Sequence, residues 1–366
     1  MDRDCLPAFI GDISMTIVDA MAKIDSNSRG IVFIVDERDS LCGCITDGDI
    51  RRWILKAGDI HETVCCAMTH SPKYLFCEER AKAYGVMVKN FITALPILDH
   101  NRHIIDIILF REGSNYSVPK KKKDLSDVPV VIMAGGKGTR LYPYTKVLPK
   151  PLIPIGDTPI VERIINCFTE YNILQYYMTV NYKKGMIKSY FEGLEALYRI
   201  KYIEEAKPLG TSGSIKLITD KLEKPLFVTN CDALILADYG DVYSYHINSG
   251  NAVTMVSALK NIIVPYGVIH AGDNGEIQSI DEKPKLSYFI NTGMYVIDPD
   301  IIELIPDDTI FHMTDLVEEV MKKGGRVGMY PISEDSFLDM GEFGEMERME
   351  EKLNIASERR IWRISY

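Results

Sequence analysis

From residue 128 onward the chain alternates apolar runs of strand length with segments of helical spacing. VPVVIMA (128–134) has the pattern of a buried strand, and LQYYMTVN (174–181), RIKYIEE (199–205) and PLFVTN (225–230) read as further strands. PIVERIINCFTEY (159–171) places Ile160, Ile164, Ile165 and Phe168 on one side of a helix. KGMIKSYFEGL, SGSIKLITD and DYGDVYSYHINSG predict further helices between the strands. This alternation predicts a mostly parallel sheet with helices on both faces. Ligands of such sheets bind at the carboxyl ends of the strands, so functional residues are expected just after the apolar runs.

The first third has a different rhythm. IVFIVDERDSLCGCITDGDIRRWIL (31–55) predicts strand, turn, strand, helix, and ALPILDHNRHIIDIILFRE (94–112) repeats that layout 63 residues later, with Asp36 aligned on Asp99. Two such units predict a paired module, not a long solenoid. Between the halves, GSNYSVPKKKKDLSD (113–127) lacks apolar periodicity and reads as a solvated linker. The expected organisation is a first domain over 1–118, a linker over 119–127 and a second domain over 128–366.

Composition narrows the class. The chain has 366 residues, 46% of them apolar and 26% charged, as in soluble globular proteins of two or three domains. A net charge of −10 argues against a nucleic-acid partner, while leaving room for a small anion held by a few local cations. No apolar run reaches the ~18 residues of a membrane span. The start, MDRDCLPAFIGDISM, lacks the basic and apolar regions of a signal peptide, so no membrane partner and a cytoplasmic location are expected. The eight cysteines, at 5, 42, 44, 65, 66, 77, 167 and 231, form no CxxC pair and no Cys/His set with zinc spacing. They are expected to be free thiols.

The strongest chemical signal is VVIMAGGKGTRLYPYTKVLPKPLIPIG (130–156), where a strand runs directly into Gly135-Gly136-Lys137-Gly138-Thr139-Arg140. Glycines let a backbone approach a phosphate and turn its N–H groups toward it. The spacing is neither that of a Walker A loop nor that of a GxGxxG dinucleotide loop. Lys137, Arg140 and Lys150 bring three cations to one proline-braced loop, which suits a triphosphate.

Gly135 to Thr145, with Pro149-Lys150-Pro151, resembles the signature of the sugar-1-phosphate nucleotidyltransferases, and the resemblance runs through 128–345. Leu209-Gly210-Thr211-Ser212-Gly213 is similar to that family's second nucleotide loop. Asn230-Cys231-Asp232 and Phe337-Leu338-Asp339-Met340-Gly341 resemble its two metal-aspartate motifs, with Phe337 where a tryptophan is usual. Tyr266-Gly267-Val268, Glu282-Lys283-Pro284 and Asn291-Thr292-Gly293 resemble its sugar-side motifs. The resemblance implies nucleotide contacts at Gly135, Gly136, Gly138, Thr139, Gly210 and Thr211, and sugar contacts at Gly267, Glu282, Asn291 and Thr292. It further implies Mg²⁺ at Asp232 and Asp339, with Arg140, Lys150 and Lys283 as the catalytic cations, Lys283 on the acceptor phosphate. In the first domain, Gly43-Cys44-Ile45-Thr46-Asp47-Gly48-Asp49-Ile50 resembles the core motif of CBS domains, implying a regulatory nucleotide at Thr46 and Asp49. The second copy departs from that motif at Asp106, Leu109 and Glu112.

Together these resemblances imply an α/β protein, with a small α+β CBS pair preceding a Rossmann-like nucleotidyltransferase domain of mixed, mostly parallel sheet. The implied reaction joins a nucleoside triphosphate to a sugar 1-phosphate, releasing pyrophosphate, in a homo-oligomer. The domain order resembles the guanylyltransferases of bacterial surface-sugar pathways, making GTP the first expectation. Glucose 1-phosphate with dTTP, and a mannose or heptose phosphate with GTP, stay open. A different class also stays open: a regulatory protein that senses nucleotide sugars with an inactive transferase domain. Retention of Arg140, Lys150, Asp232, Lys283 and Asp339 separates the two.

Overall fold

In a computed structural model, the apolar runs after residue 128 become strands of the second of two compact units, Met1–Lys121 and Lys122–Tyr366. The structure describes residues 3–27, 30–90, 92–109, 122–272, 274–341, 345, 346, 349, 350 and 353. The expected boundary at 118, linker residues 119–121 and Glu112 lie outside them.

The first unit is a structural repeat. Strands β1 (Ile10–Asp12), β2 (Ile31–Val35) and β3 (Leu41–Thr46) form one sheet, with helices α1 (Ile17–Asn27) and α2 (Asp47–Leu55). Strands β4 (Leu75–Phe76), β5 (Ala94–Leu98) and β6 (Ile104–Leu109) form the other, with α3 (Ala83–Asn90). In each sheet the first pairing is parallel and the second antiparallel. The register shifts at Ile34/Val35 and again at Ile97/Leu98. The turns also match. Asp36 Oδ1 accepts from the N–H groups of Arg38 and Ser40, and Asp99 Oδ1 from those of Asn101 and His103. Asp39 and Arg102 take positive φ, 56° and 68°. Such agreement requires the aspartate turn in both copies, because its side chain closes the loop. The copies differ where the sequence does: at the place of Gly43, Asp106 is buried and paired with Arg80.

The second unit is built on a seven-stranded sheet. Its strands are β7 (Val130–Met133), β10 (Gln175–Val180), β11 (Arg199–Glu204), β12 (Leu226–Asn230), β14 (Val253–Ile263), β17 (Lys285–Ile297) and β18 (Val327–Ile332). The order is β11-β10-β7-β12-β17-β14-β18, and β17 alone runs antiparallel to its neighbours. Short hairpins β8–β9 (Pro154–Ile155, Thr158–Pro159) and β15–β16 (Val268–Ala271, Ile277–Asp281) and the pair β13–β19 (Ala233–Ile235, Phe337–Asp339) complete the strands. The helices are α4 (Tyr144–Val147), α5 (Ile160–Thr169), α6 (Lys184–Glu192), α7 (Gly210–Gly213), α8 (Tyr239–Ser249) and α9 (Met313–Lys322).

Central β7 explains the layering. Val130 and Ile132 pack with Ile164 and Phe168 of α5, while Val131 and Met133 pack with Leu316 and Val320 of α9. A strand buried on both faces must be apolar throughout, and this one is. The segment 122–127, expected in the linker, is held on this unit. Leu125 is buried in its core, Lys122 pairs with Glu170 and lies over the Tyr171 ring, and Lys123 reaches Ser244. Lysine stems covering aromatic rings are what a charge run conceals from a periodicity test. Among the described residues no helix is long and apolar enough to cross a membrane.

One polar chain runs from buried Asn251, Thr254 and His246 out to the partly exposed Asp298. Asn251 Nδ2 donates to Thr254 Oγ1 (3.0 Å), which lies 2.9 Å from His246 Nδ1, and His246 Nε2 lies 3.2 Å from Asp298 Oδ1. The network assigns the proton to Nε2, donating to the carboxylate, with Nδ1 accepting from the threonine. Burial lowers the pKa of His246 below the ordinary 6.5, against the opposing pull of Asp298. The folded protein thus binds fewer protons here than the unfolded chain, and this stability is lost as pH falls below 6.5 toward the folded value. Thermal unfolding should show a midpoint that drops between pH 7.5 and pH 5.5. His246→Gln should flatten that slope; an unchanged slope would mean the histidine is not its source.

Candidate active site

The carboxyl ends of β7, β11 and β12 open onto one cleft in the second unit. The chain leaving β7 folds back because Gly138 takes φ 64°. A Cβ on Gly138 would lie 3.0 Å from both Lys150 Cβ and Thr145 Cγ2, so only glycine lets Lys150 pack there. Thr145 Oγ1 donates to the Gly138 carbonyl at 2.8 Å. In the second loop Gly210 has φ 80°, and a Cβ there would lie 2.5 Å from the Phe311 carbonyl oxygen. That oxygen accepts from the N–H groups of Ser212 and Gly213, 3.0 and 3.1 Å away. Thr211 Oγ1 accepts from Met313 N–H at 2.9 Å, at the start of α9. The Ser212 and Gly213 amides go to the Phe311 carbonyl, which is why one helical turn and a 3₁₀ turn (Ser214–Leu217) stand where 212–220 predicted a longer helix.

The cleft has two lobes. One, about 380 Å³, is walled by Gly135, Gly136, Gly138, Thr139, Lys150 and Gly210. The other, about 290 Å³, is walled by Asn291, Thr292, Gly293, Phe337 and Asp339. Arg140, Thr211, Asn230, Asp232 and His312 border both lobes.

Two carboxylates meet at the junction. Ala233 pairs with Asp339 across β13–β19, and Met340 N–H donates to the Asp232 carbonyl (3.0 Å), so the aspartates enter from neighbouring strands. Lys150 is ion-paired with Asp232, both side chains 13% exposed. Burial raises the Asp339 pKa above 3.8 and the Asp232 charge raises it further, while Lys150, the Gly341 N–H and Arg140 pull it back. Among the described residues no three His, Cys, Asp or Glu side chains gather as a metal cage. The protein therefore offers two carboxylates, a donor set that fits Mg²⁺, which takes its other ligands from phosphate and water.

The sugar-side residues divide. Thr292 is buried and donates to the Val256 carbonyl (2.7 Å) beside the β14 register shift. Asn291 accepts from Gly293 N–H (3.0 Å) and donates to Tyr295 Oη (2.5 Å). These two shape the wall with polar atoms already committed inside the protein. Gly267, Glu282 and Lys283 line neither lobe. They cluster, exposed, at the base of the β15–β16 hairpin, because the strands there pair only with each other and carry them out from the sheet. Lys137 is exposed and also lines neither lobe. In the first unit, Thr46 and Asp49 form the capping box of α2. Asp49 Oδ2 accepts from the Thr46 N–H and hydroxyl, and its other oxygen pairs with Arg52.

Glu205 and His312 are among the cleft residues that the sequence did not point to. Glu205, just past β11, lies beside Gly135, where a Cβ would stand 2.6 Å from its Oε1. It accepts from Leu209 N–H (3.3 Å), and burial raises its pKa. Its place at the end of the run RIKYIEE was the available signal. His312 caps α9 between the lobes, and only its position before the amphipathic stretch 313–322 could have suggested a role.

Residues 129–354 match the model of the family described as Nucleotidyl transferase. The chain belongs to that family. Residues 12–56 match the CBS domain model. A UTP–glucose-1-phosphate uridylyltransferase of Synechocystis is 31% identical over 232 residues, 58% of this chain and 59% of the relative. A mannose-1-phosphate guanyltransferase of Debaryomyces hansenii is 34% identical over 184 residues, 48% of this chain and 51% of the relative. The chain thus spans between half and three-fifths of the length of these relatives. The crystal structure of HddC from Yersinia pseudotuberculosis superimposes with a TM-score of 0.50 at 25% identity, covering 62% of this chain and 99% of that one.

In the transferase unit, the loop between Arg140 and Lys150 is held from outside the cleft by a residue with no part in the motif. Lys183 Nζ donates to the carbonyls of Lys146 (2.5 Å) and Val147 (2.8 Å), and Tyr182 Oη to that of Thr145 (3.2 Å). An ammonium at the carboxyl end of α4 answers the orphaned carbonyls there. Charge-assisted bonds contribute about 1.5–3 kcal/mol, enough to suppress loop opening by roughly tenfold or more. Lys183→Met should therefore raise amide hydrogen exchange across 139–150 by about that factor, and Lys183→Arg should restore protection. Unchanged exchange in the methionine variant would show that the loop holds itself.

Proposed function

We propose that the transferase unit moves a nucleotidyl group from a nucleoside triphosphate, GTP first, to a sugar 1-phosphate, forming a nucleoside-diphosphate sugar and pyrophosphate. The observation that carries this reading is one cleft in which a glycine-loop lobe holding Lys150 and a second lobe holding Asp339 share Arg140 and Asp232. In the reaction an acceptor phosphate oxygen attacks the α-phosphorus, and the bond to the β-phosphate oxygen breaks as pyrophosphate leaves. Such a transfer needs alignment and charge neutralisation more than a protein nucleophile. Arg140, bordering both lobes, suits the charge shared between the two phosphates. Lys150 suits the triphosphate and balances Asp232. Mg²⁺ held by Asp232 and Asp339 would supply further neutralisation of phosphate oxygens. Lys283 remains the proposed partner of the acceptor phosphate from the motif alone.

Glu205 supports GTP. A base seated over Gly135 meets its carboxylate. Guanine presents two adjacent donors, N1–H and the N2 amine, which one carboxylate accepts together. Uracil and thymine present one N–H between two carbonyls, which a carboxylate repels. The order of CBS module and transferase supports a guanylyltransferase of bacterial surface-sugar synthesis, such as the glucosamine-1-phosphate guanylyltransferase of the legionaminic acid pathway.

The test is pyrophosphate release from GTP, UTP and dTTP against a panel of sugar 1-phosphates. Release is expected with Mg²⁺, to stop in excess chelator, and to fall about 100-fold or more in Asp232→Asn and Asp339→Asn. Glu205→Gln should narrow the GTP-over-UTP preference by roughly tenfold, one lost charge-assisted contact. Absence of pyrophosphate with every pair would overturn the reading, and an unaltered base preference would remove Glu205 from it.

A further inference from the structure

Lys150 enters the cleft on a stem that is held in place. It opens a 3₁₀ turn (Lys150–Leu152) between Pro149 and Pro151. Its Cβ and Cδ lie 3.0 and 3.3 Å from where a Cβ on Gly138 would stand, so the stem packs on that glycine and only the end of the side chain can turn. The ammonium is paired with Asp232, and both partners are largely buried. Lys150 walls the glycine-loop lobe, Asp339 walls the other, and Asp232 borders both. Of the two cations that hold down the Asp339 pKa, Lys150 acts more strongly than Arg140. One ammonium thus stands where two carboxylates and the glycine-loop lobe meet.

Asp232 is also a carboxylate that a divalent cation needs, and two cations on one carboxylate repel each other. A buried ion pair cannot simply open, because either partner is then left as an uncompensated charge. We propose that Lys150 is an exchangeable counter-ion, which gives up Asp232 in return for a divalent cation and turns its ammonium to a triphosphate in the glycine-loop lobe. This rests on the metal and triphosphate sites proposed above and adds the link between them. With a metal alone, Lys150 loses its partner. With a triphosphate alone, Lys150 is drawn off and leaves Asp232 uncompensated beside Asp339. Only the two together satisfy every charge, so they must favour each other's binding, and equally in both directions.

Mn²⁺ binding to the full chain, followed by electron paramagnetic resonance, tests the exchange without turnover. Lys150→Met should bind Mn²⁺ about tenfold more tightly than the natural chain, since no charge-assisted contact is then displaced. Arg140→Met removes an exposed cation of the same cleft and should gain no more than about threefold. With saturating inorganic triphosphate the advantage of Lys150→Met should vanish, because Lys150 then has phosphates to neutralise. In the natural chain, the ¹⁵N signal of the Lys150 ammonium should move as Mg²⁺ is added, a readout that needs no variant. Equal Mn²⁺ affinity in the natural chain and Lys150→Met, an equal gain in Arg140→Met, an advantage that survives triphosphate, or a Lys150 signal unmoved at saturating Mg²⁺ would overturn the exchange. Absence of Mn²⁺ binding in every protein would overturn it together with the metal site. Exchange seen without pyrophosphate release would support it and overturn only the reaction.

Discussion

Two aspartates brought into one partly buried cleft repel each other, and the transferase unit is organised around that repulsion. Backbone pairing forces the contact: β13 and β19 lie side by side with Ala233 opposite Asp339, which leaves Asp232 and Asp339 no way to separate. Burial first, and the Asp232 charge second, hold the Asp339 pKa above the ordinary value. A cation has to be present for both to stay ionised. The protein provides one from a distant segment, Lys150, delivered by a loop whose route depends on Gly138 and whose outer edge is fixed by Lys183. The same charge balance prepares the cleft for polyanions that arrive with their own cation.

The second glycine loop shows how such a site is kept open. Its amides could have continued a helix. They are instead drawn to the Phe311 carbonyl, and Thr211 caps α9 in return. Loop and helix start are one assembly, with Gly210 at its closest approach. Gly293 performs a similar task on the other wall, where a Cβ would stand 2.2 Å from Asn230 Nδ2. A side chain at either glycine would collide with its neighbour, the Phe311 backbone or the Asn230 amide.

Local signals were legible. The strand leading into Gly135–Arg140, the helix over 159–171 and the 63-residue repeat follow from periodicity and turn chemistry, and each appears with its expected partners. What depends on distant chain was not. Glu205 becomes a cleft residue only because β11 sits two strands from β7, and His312 only because 311–313 zips to the glycine loop. Lys122 and Lys123 looked like linker because their contacts, Tyr171 and Ser244, lie 49 and 121 residues away. Motif order suggested Lys283 for the site; it is exposed at the base of the β15–β16 hairpin and lines neither lobe. The hairpin itself was invisible, since no periodicity distinguishes a strand that leaves a sheet from one that stays.

The carboxylate coupling is open to direct measurement. Carbon-13 NMR titration of the Asp339 side-chain carboxyl, in the natural protein and in Asp232→Asn, separates the neighbouring charge from burial alone. The account predicts a pKa above the ordinary 3.8 in the natural protein and a clear fall toward it once the Asp232 charge is gone. An Asp339 pKa that is ordinary from the outset, or that does not move when Asp232 is neutralised, would contradict it.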